Sequence, residues 1–313
     1  MGGTSWSASS YLSSSDSFVG KSTDKVFHNT STKTISKDMD ARGLKFRECR
    51  DSTAHPETLA VVIGLDETGS MGTIPNELVR GKLAKLMESL LKAGVNDAQV
   101  LFLGVGDSTC DKFPIQVGQF ESGDIELVKW LTEVNLEGNG GGHGKESYPL
   151  AWLVAGRHTS IDCFEKRGLK GVLMTIGDEA PWEVIKAKEQ KEFLGYGQAE
   201  DLTAEQLFEE ASKMYHIFHI HVEHSGYTKM SGYDKTVIDA WKKLLGERVI
   251  ICEDYNNIAE IISTTVAMIH GIDMEEFTKH FDKDTADSVK NALMKVDTSV
   301  TTKKKTEEGI VAL

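Results

Sequence analysis

Cysteine is scarce in this 313-residue chain, and its four copies, Cys49, Cys110, Cys163 and Cys252, form no CxxC pair. That spacing excludes a disulfide-framed scaffold and a zinc ribbon, and it fits reduced thiols in a cytoplasmic protein. Long apolar runs are missing too, so no segment reads as a membrane span. The N-terminus, MGGTSWSASSYLSSS, lacks the charged region and continuous apolar stretch of a secretory signal. Trp6 stands where a myristoylation motif needs Ser or Thr. Positive charge is in deficit, with 35 Lys and Arg against 48 Asp and Glu and a net charge of -13. Such a balance argues against a general binder of nucleic acid or anionic membrane, because phosphate contacts need clustered cations. What is present is a 40% hydrophobic chain, enough for a sizeable core.

The order of segments points to one α/β domain with extensions. Residues 1–56 are rich in Ser, Thr, Asp and Lys, with sparse, aperiodic apolar positions, and predict an extended or partly disordered arm. Residues 57–271 hold the domain. Thr58 to Asp66 is apolar without alternation, as a strand buried on both faces should be. Leucines at three- and four-residue spacings predict a helix from Pro75 to Ala93, ended by Gly94. Further strands are expected at Gln99 to Val105, Ile115 to Phe120, Lys170 to Asp178, His216 to His224 and Arg248 to Glu253. Helices are expected at Asp124 to Val134, Ser147 to His158, Trp182 to Phe193, Val237 to Leu245 and Ile258 to Ile269. Residues of about 195–214 read as a helical insertion, with Thr203 and Gln206 as a capping box. Residues 272–313 read as a C-terminal helical extension with a polar tail. The alternation implies a doubly wound, mostly parallel sheet with helices on both faces, Ile115 to Phe120 being the antiparallel edge strand.

Tracing strand directions brings Asp66, the loop GDSTCD (Gly106 to Asp111), the glycine loop EGNGGGHGKESYP (Glu137 to Pro149) and Asp178 to one sheet edge. Open α/β sheets bind ligands at that edge, where the strand order reverses. There, Asp66, Thr68 and Ser70 alternate on a tight turn after a buried strand, with Gly69 between the hydroxyls. Oxygen-only donors suit a hard cation such as Mg²⁺ or Mn²⁺.

On these residues the chain resembles the von Willebrand factor A (vWA) family, of the intracellular bacterial or viral type. Asp66, Thr68 and Ser70 match its DxSxS metal-ion-dependent adhesion site (MIDAS), and Asp178 matches its later strand-end aspartate. The resemblance covers roughly residues 57–269. It implies a Rossmann-like vWA fold, one bound metal with an open coordination position, and no catalysis. It also implies a protein partner, such as an AAA+ ATPase or the subunits of an assembly. One departure stands out. Where the family supplies a Thr, this chain has Glu146, followed by Ser147. Three carboxylates around one dication would leave a site charge of about -1 and repel an incoming carboxylate.

Two other function classes fit parts of the pattern. Asp66 to Ser70 also resembles the DxTGT motif of haloacid-dehalogenase-like phosphotransferases, with Asp66 as nucleophile, Asp178, Glu179 and Glu183 as acidic partners and Lys166 or Lys170 as the lysine. Thr68 stands where soluble phosphatases of that family carry an acid/base aspartate. A structural subunit would use residues 1–56 and the C-terminal helices for docking. Gly140 to Gly142 is no phosphate loop, because Gly144-Lys145 is followed by Glu146. His219 and His221 face one side of their strand, where imidazoles can ligate zinc. Asp107, Asp111, His143, Tyr148 and Trp182 form a candidate partner-binding rim.

Overall fold

Residues 4–69, 71, 73–138, 142–196, 199–223 and 233–296 are described in the computed structural model of the chain. The first finding is a correction: from residue 4 onward the N-terminal segment is packed, not extended. Helix α1 (Ala8–Asp16) starts at Ser7, whose side chain accepts from the backbone N–H of Ser10. Tyr11 on α1 is fully buried and donates its hydroxyl to the carbonyls of Leu78 and Val79, at 2.8 and 3.0 Å. Val26, Phe27 and Met39 are buried as well. Each of these apolar residues is a single anchor, not part of a stripe, so periodicity does not reveal them.

Strand β1 (Leu59–Asp66) is buried along its whole length. The helix that follows was expected to be continuous. It runs instead as Thr73–Glu77, a π-helical turn at Leu78–Lys82, and helix α2 (Leu83–Lys92). Gly81 departs from helical geometry, and Tyr11 bonds two carbonyls at the break. Gly94, at φ 72°, closes α2, with the N–H groups of Gly94 and Val95 bonded back to Leu91 and Leu90.

The chain continues through β2 (Ala98–Val105), β3 (Ile115–Val117), α3 (Asp124–Thr132), α4 (Pro149–Arg157), β4 (Gly171–Gly177), α5 (Ala187–Leu194), α6 (Ala204–Ala211) and β5 (Tyr215–Val222). Then come α7 (Tyr233–Leu245), β6 (Val249–Cys252), α8 (Ile258–Ile269) and α9 (Lys283–Leu293). The six strands form one sheet in the order β6-β5-β4-β1-β2-β3, parallel except for β3. Helices α2, α8 and α9 pack together on one face, and α4 and α6 pack against each other on the other. Trp241 of α7 and Trp152 of α4 meet edge to face, with ring centroids 6.1 Å apart. Both are fully buried, as a doubly covered parallel sheet requires. The strand order reverses between β1 and β4, so their C-terminal ends flank the switch point.

Local signals account for the remaining agreements and departures. The capping box at Thr203 and Gln206 is present, with bonds of 3.2 and 2.8 Å. Pro181 does not open a helix. Ala180–Pro181 instead pairs with Lys145–Glu146, and Val184–Ile185 pairs with Leu202–Thr203, so α5 starts only at Ala187. The C-terminal extension breaks into Met274–Thr278 and α9, because the Asp282 carboxylate caps Thr285 at 3.0 Å. Its Phe277, Val289 and Leu293 are buried. The cysteines are free thiols, and no described helix is long and apolar enough to cross a membrane.

Candidate metal centre

Asp66 ends β1 and Asp178 follows β4, on neighbouring strands at the switch point. Both are buried, and the charge of Asp178 acts on Asp66. One oxygen of Asp66, Oδ1, accepts from the Thr68 backbone N–H at 2.9 Å and from its hydroxyl at 2.5 Å. The other, Oδ2, accepts from the Tyr148 hydroxyl at 2.6 Å. Tyr148 reaches it across Gly177, where any side chain would collide with the phenol. Burial first, and the Asp178 charge second, push the Asp66 carboxyl well above its ordinary range despite these donors. Ser70 lies outside the described residues.

Of the two candidates in the glycine loop, Ser147 is engaged elsewhere. Its N–H donates to the Gly106 carbonyl at 3.0 Å. Its Oγ accepts from the Ser108 N–H and donates to the Ser108 hydroxyl, both at 2.9 Å. Glu146 is fully buried, and neither carboxylate oxygen receives an N–H or hydroxyl donor, although the Glu179 carboxyl lies within hydrogen-bonding reach and can share a proton with it. Burial raises its pKa most, followed by the charges of Asp66 and Glu179. Glu179 is itself raised, by burial and then by Asp178.

A second acidic group sits behind the first, around a residue to which the sequence pattern assigns no role. Glu67 is fully buried, hydrogen-bonded through Oε2 to Gln116, with Oε1 unpartnered. Its carboxylate occupies the space a side chain would need at Gly104, and with Asp111 it fills that at Gly106. A glycine inside a strand marks such a close approach, so the signal was in the sequence. Burial, ahead of the nearby acidic charges, raises the pKa of Glu67. Asp111 is pushed up to about 6, again mainly by burial.

The proposed rim divides in two. Asp107 and Asp111 are buried, not exposed, because they are spent on their own loop. Asp107 accepts from Thr109 and from the Trp182 indole, at 2.9 Å, while Asp111 accepts from the Asp107 N–H at 2.7 Å. Tyr148 is buried too, packed between His219 and Trp241 with centroids 5.2 Å away on each side. His143 and Trp182 remain accessible. The His143 ring lies 3.3 Å from Asp107 and 5.9 Å from the Trp182 ring, and Lys145 Nζ lies 5.1 Å from the same indole.

The other candidate chemistries lose their members. Lys166 pairs with Asp162 at 2.6 Å, and Lys170 donates to the Ser212 carbonyl at 2.5 Å. Lys170 immediately precedes β4, whereas Asp178 follows it, so a strand of roughly 20 Å separates that lysine from the acidic edge. Glu183 is paired with Lys145. His219 bonds Thr175 at 2.9 Å and stacks on Trp241 at 3.6 Å, and burial lowers the pKa of both His219 and His221. Among the described residues no three His, Cys, Asp or Glu side chains are grouped to hold a metal, either on the histidine strand or at the acidic edge, so zinc has no third ligand here. The carboxylates and the Thr68 hydroxyl together remain an oxygen donor set of the hard-cation kind.

No family model and no curated protein matches the chain. Among solved structures, the pilus adhesin SpaC of Lactobacillus rhamnosus GG is similar over 78% of this chain, with 9% identity and a TM-score of 0.45. The chain spans about a third of that adhesin, 31% of its length. The vWF domain of the type V pili tip protein Mfa5 from Porphyromonas gingivalis is similar over 69% of this chain and 96% of its own, with 11% identity and a TM-score of 0.42. For BatB of Bacteroides thetaiotaomicron the values are 67%, 98%, 15% and 0.39. Likeness this distant says nothing about individual residues or partners, which rest on the geometry above.

Proposed function

We propose that the chain is a non-catalytic vWA-type interaction module that holds one divalent cation, Mg²⁺ or Mn²⁺, at the switch point. Asp66, Thr68 and Asp178 would hold the ion directly or through water, Ser70 is a further donor by its place in the motif, and Glu146 would lend its charge from nearby. The observation that carries this reading is Glu146, fully buried with no donor to either oxygen and set among other carboxyls, Glu179 nearest in hydrogen-bonding terms. Burying an uncompensated carboxylate costs several kcal/mol or about that much in pKa shift, and native structures avoid it unless a cation or proton compensates. A bound dication supplies the positive charge these groups lack. Tyr148 and Thr68 fix the Asp66 carboxylate from both sides, so the donor set is oriented before any ion arrives.

Partner contact falls to the accessible loop surface around His143, Lys145 and Trp182, which Asp107 anchors through the indole. A protein partner, whether an AAA+ ATPase or an assembly subunit, would meet this face. Phosphotransfer is disfavoured because both candidate lysines are paired away from Asp66.

Calorimetric titration of the metal-free protein with Mg²⁺ and Mn²⁺, beside Asp178→Asn, tests this reading when phosphatase activity is assayed on the same samples. Saturable binding that the variant loses, with no phosphate released, is the expected result. Turnover that disappears with Asp178 would favour the phosphotransferase instead. Absence of binding by the wild type would remove the cation altogether.

A further inference from the structure

We propose that the cleft beside Thr68 is a binding site for a small hydroxylated monocarboxylate of the uronic-acid kind, with Arg80 receiving its carboxylate. The site would work without a cation, and so stands apart from the reading above.

The cleft encloses about 480 Å³ and opens to solvent between the N-terminal segment, the turn after β1 and the interrupted helix that follows it. That is the size of a pocket for a small molecule, not of a protein face. Among the described residues that line it, Arg80 on the π-helical turn is the one cation. Its side chain is half-buried, and Nη2 is fixed by the Lys21 carbonyl at 2.7 Å. Nε is buried without an acceptor, and the described residues supply the group no carboxylate partner. A guanidinium is always charged and carries five N–H donors, so this one has donors to spare for the two oxygens of a carboxylate. Around it the lining is hydroxyl and amide, not hydrocarbon. Thr23, Thr30 and Thr73 bring hydroxyls and Asn76 an amide, while Leu136 is the one large apolar side chain among the described lining residues. The Thr30 hydroxyl accepts from the Leu136 N–H at 2.8 Å and keeps its own proton to donate. Glu77, three residues before Arg80, lines the same cleft and can accept from ligand hydroxyls. It also offsets the charge of Arg80, so a doubly charged anion such as phosphate fits poorly. A polyol with a single carboxylate matches the one cation, the several hydroxyl partners and the scant apolar wall.

Saturation-transfer NMR on the full chain in metal-free buffer tests this, with glucuronate and galacturonate as probes and glucose and acetate as controls. At least one uronate should bind saturably, and roughly tenfold or more tightly than glucose or acetate. Arg80→Gln should weaken that binding by roughly tenfold or more, as loss of a hydrogen bond to a charged group does. Thr73→Val should weaken it less. Absence of saturable binding by both uronates, or glucose bound as tightly as they are, would overturn the proposal. That comparison on the wild type decides the matter even where a variant fails to fold. Uronate binding undiminished in Arg80→Gln would overturn the role of Arg80 and with it the site. Because the buffer holds no cation, these outcomes leave the cation reading to its own titration.

Discussion

Between pH 5 and pH 7 the stabilisation that saturating Mg²⁺ confers on this chain is expected to grow by on the order of 3 kcal/mol, because protons hold the acidic groups at the lower pH. The sign follows from the direction of the shifts. Asp66, Glu67, Glu146 and Glu179 are all raised, with burial the largest cause, and Asp111 is raised to about 6. In the unfolded chain these carboxyls ionise near 4. The folded chain therefore keeps protons that the unfolded chain has shed. Their contribution is complete below about pH 4 and is lost as the pH climbs through the folded-state values. Each such carboxyl costs about 1.4 kcal/mol per pH unit in that window. Asp162 and Glu165, whose carboxyls are lowered, make a contribution that is constant here. His216, His219, His221 and His270, lowered by burial, act oppositely within this window whether or not an ion is bound, so the carboxyls are read from the difference that Mg²⁺ makes. A dication favours the ionised forms of the carboxyls it contacts and so removes their part of the slope, while Glu67 and Asp111 keep theirs. Urea denaturation at pH 5 and pH 7, with chelator and with Mg²⁺, measures both effects. A Mg²⁺ effect no larger at pH 7 than at pH 5 would mean that no cation takes the place of these protons.

Gly177→Ala should cost about 3 kcal/mol, at the upper end of overpacking a tight interior. An added Cβ would lie 1.8 Å from the Tyr148 hydroxyl oxygen and 2.9 Å from Asp66 Oδ2. The phenol cannot retreat, because its ring is wedged between His219 and Trp241. Relief requires moving β4 or breaking the Tyr148–Asp66 bond, and either disturbs the metal loop. Urea unfolding of the variant beside wild type reads the cost. A loss below about 1 kcal/mol would show that Tyr148 moves freely and does not position Asp66.

Much of the frame was legible before the structure. The unalternating run ending in Asp66, the later strand ending before Asp178, and the helix Ile258–Ile269 are coded by local composition and period. Directions of travel along such elements were enough to bring the two aspartates to one edge. The misses share a physical cause: they depend on contacts between distant segments. Tyr11 is anchored by carbonyls 67 and 68 residues away, which no local pattern announces. Asp107, Asp111 and Tyr148 looked like surface chemistry, yet each points inward to hydrogen bonds that only the folded loops supply. The buried Glu67 was foreshadowed only by Gly104 and Gly106, glycines inside and just beyond a strand where a side chain has no room. Whether Glu146 or Ser147 faces the aspartates was open in the sequence. The hydrogen bonds of Ser147 to Ser108 engage that hydroxyl, which leaves Glu146 as the candidate proposed here.

The most direct test of the central claim is the number of Mn²⁺ ions bound per chain, read by electron paramagnetic resonance on wild type and Asp66→Asn side by side. The account predicts one ion on the wild type, and at least a hundredfold weaker binding by a variant that unfolds as cooperatively as wild type. Equal binding by the two proteins, or none by the wild type, would contradict it.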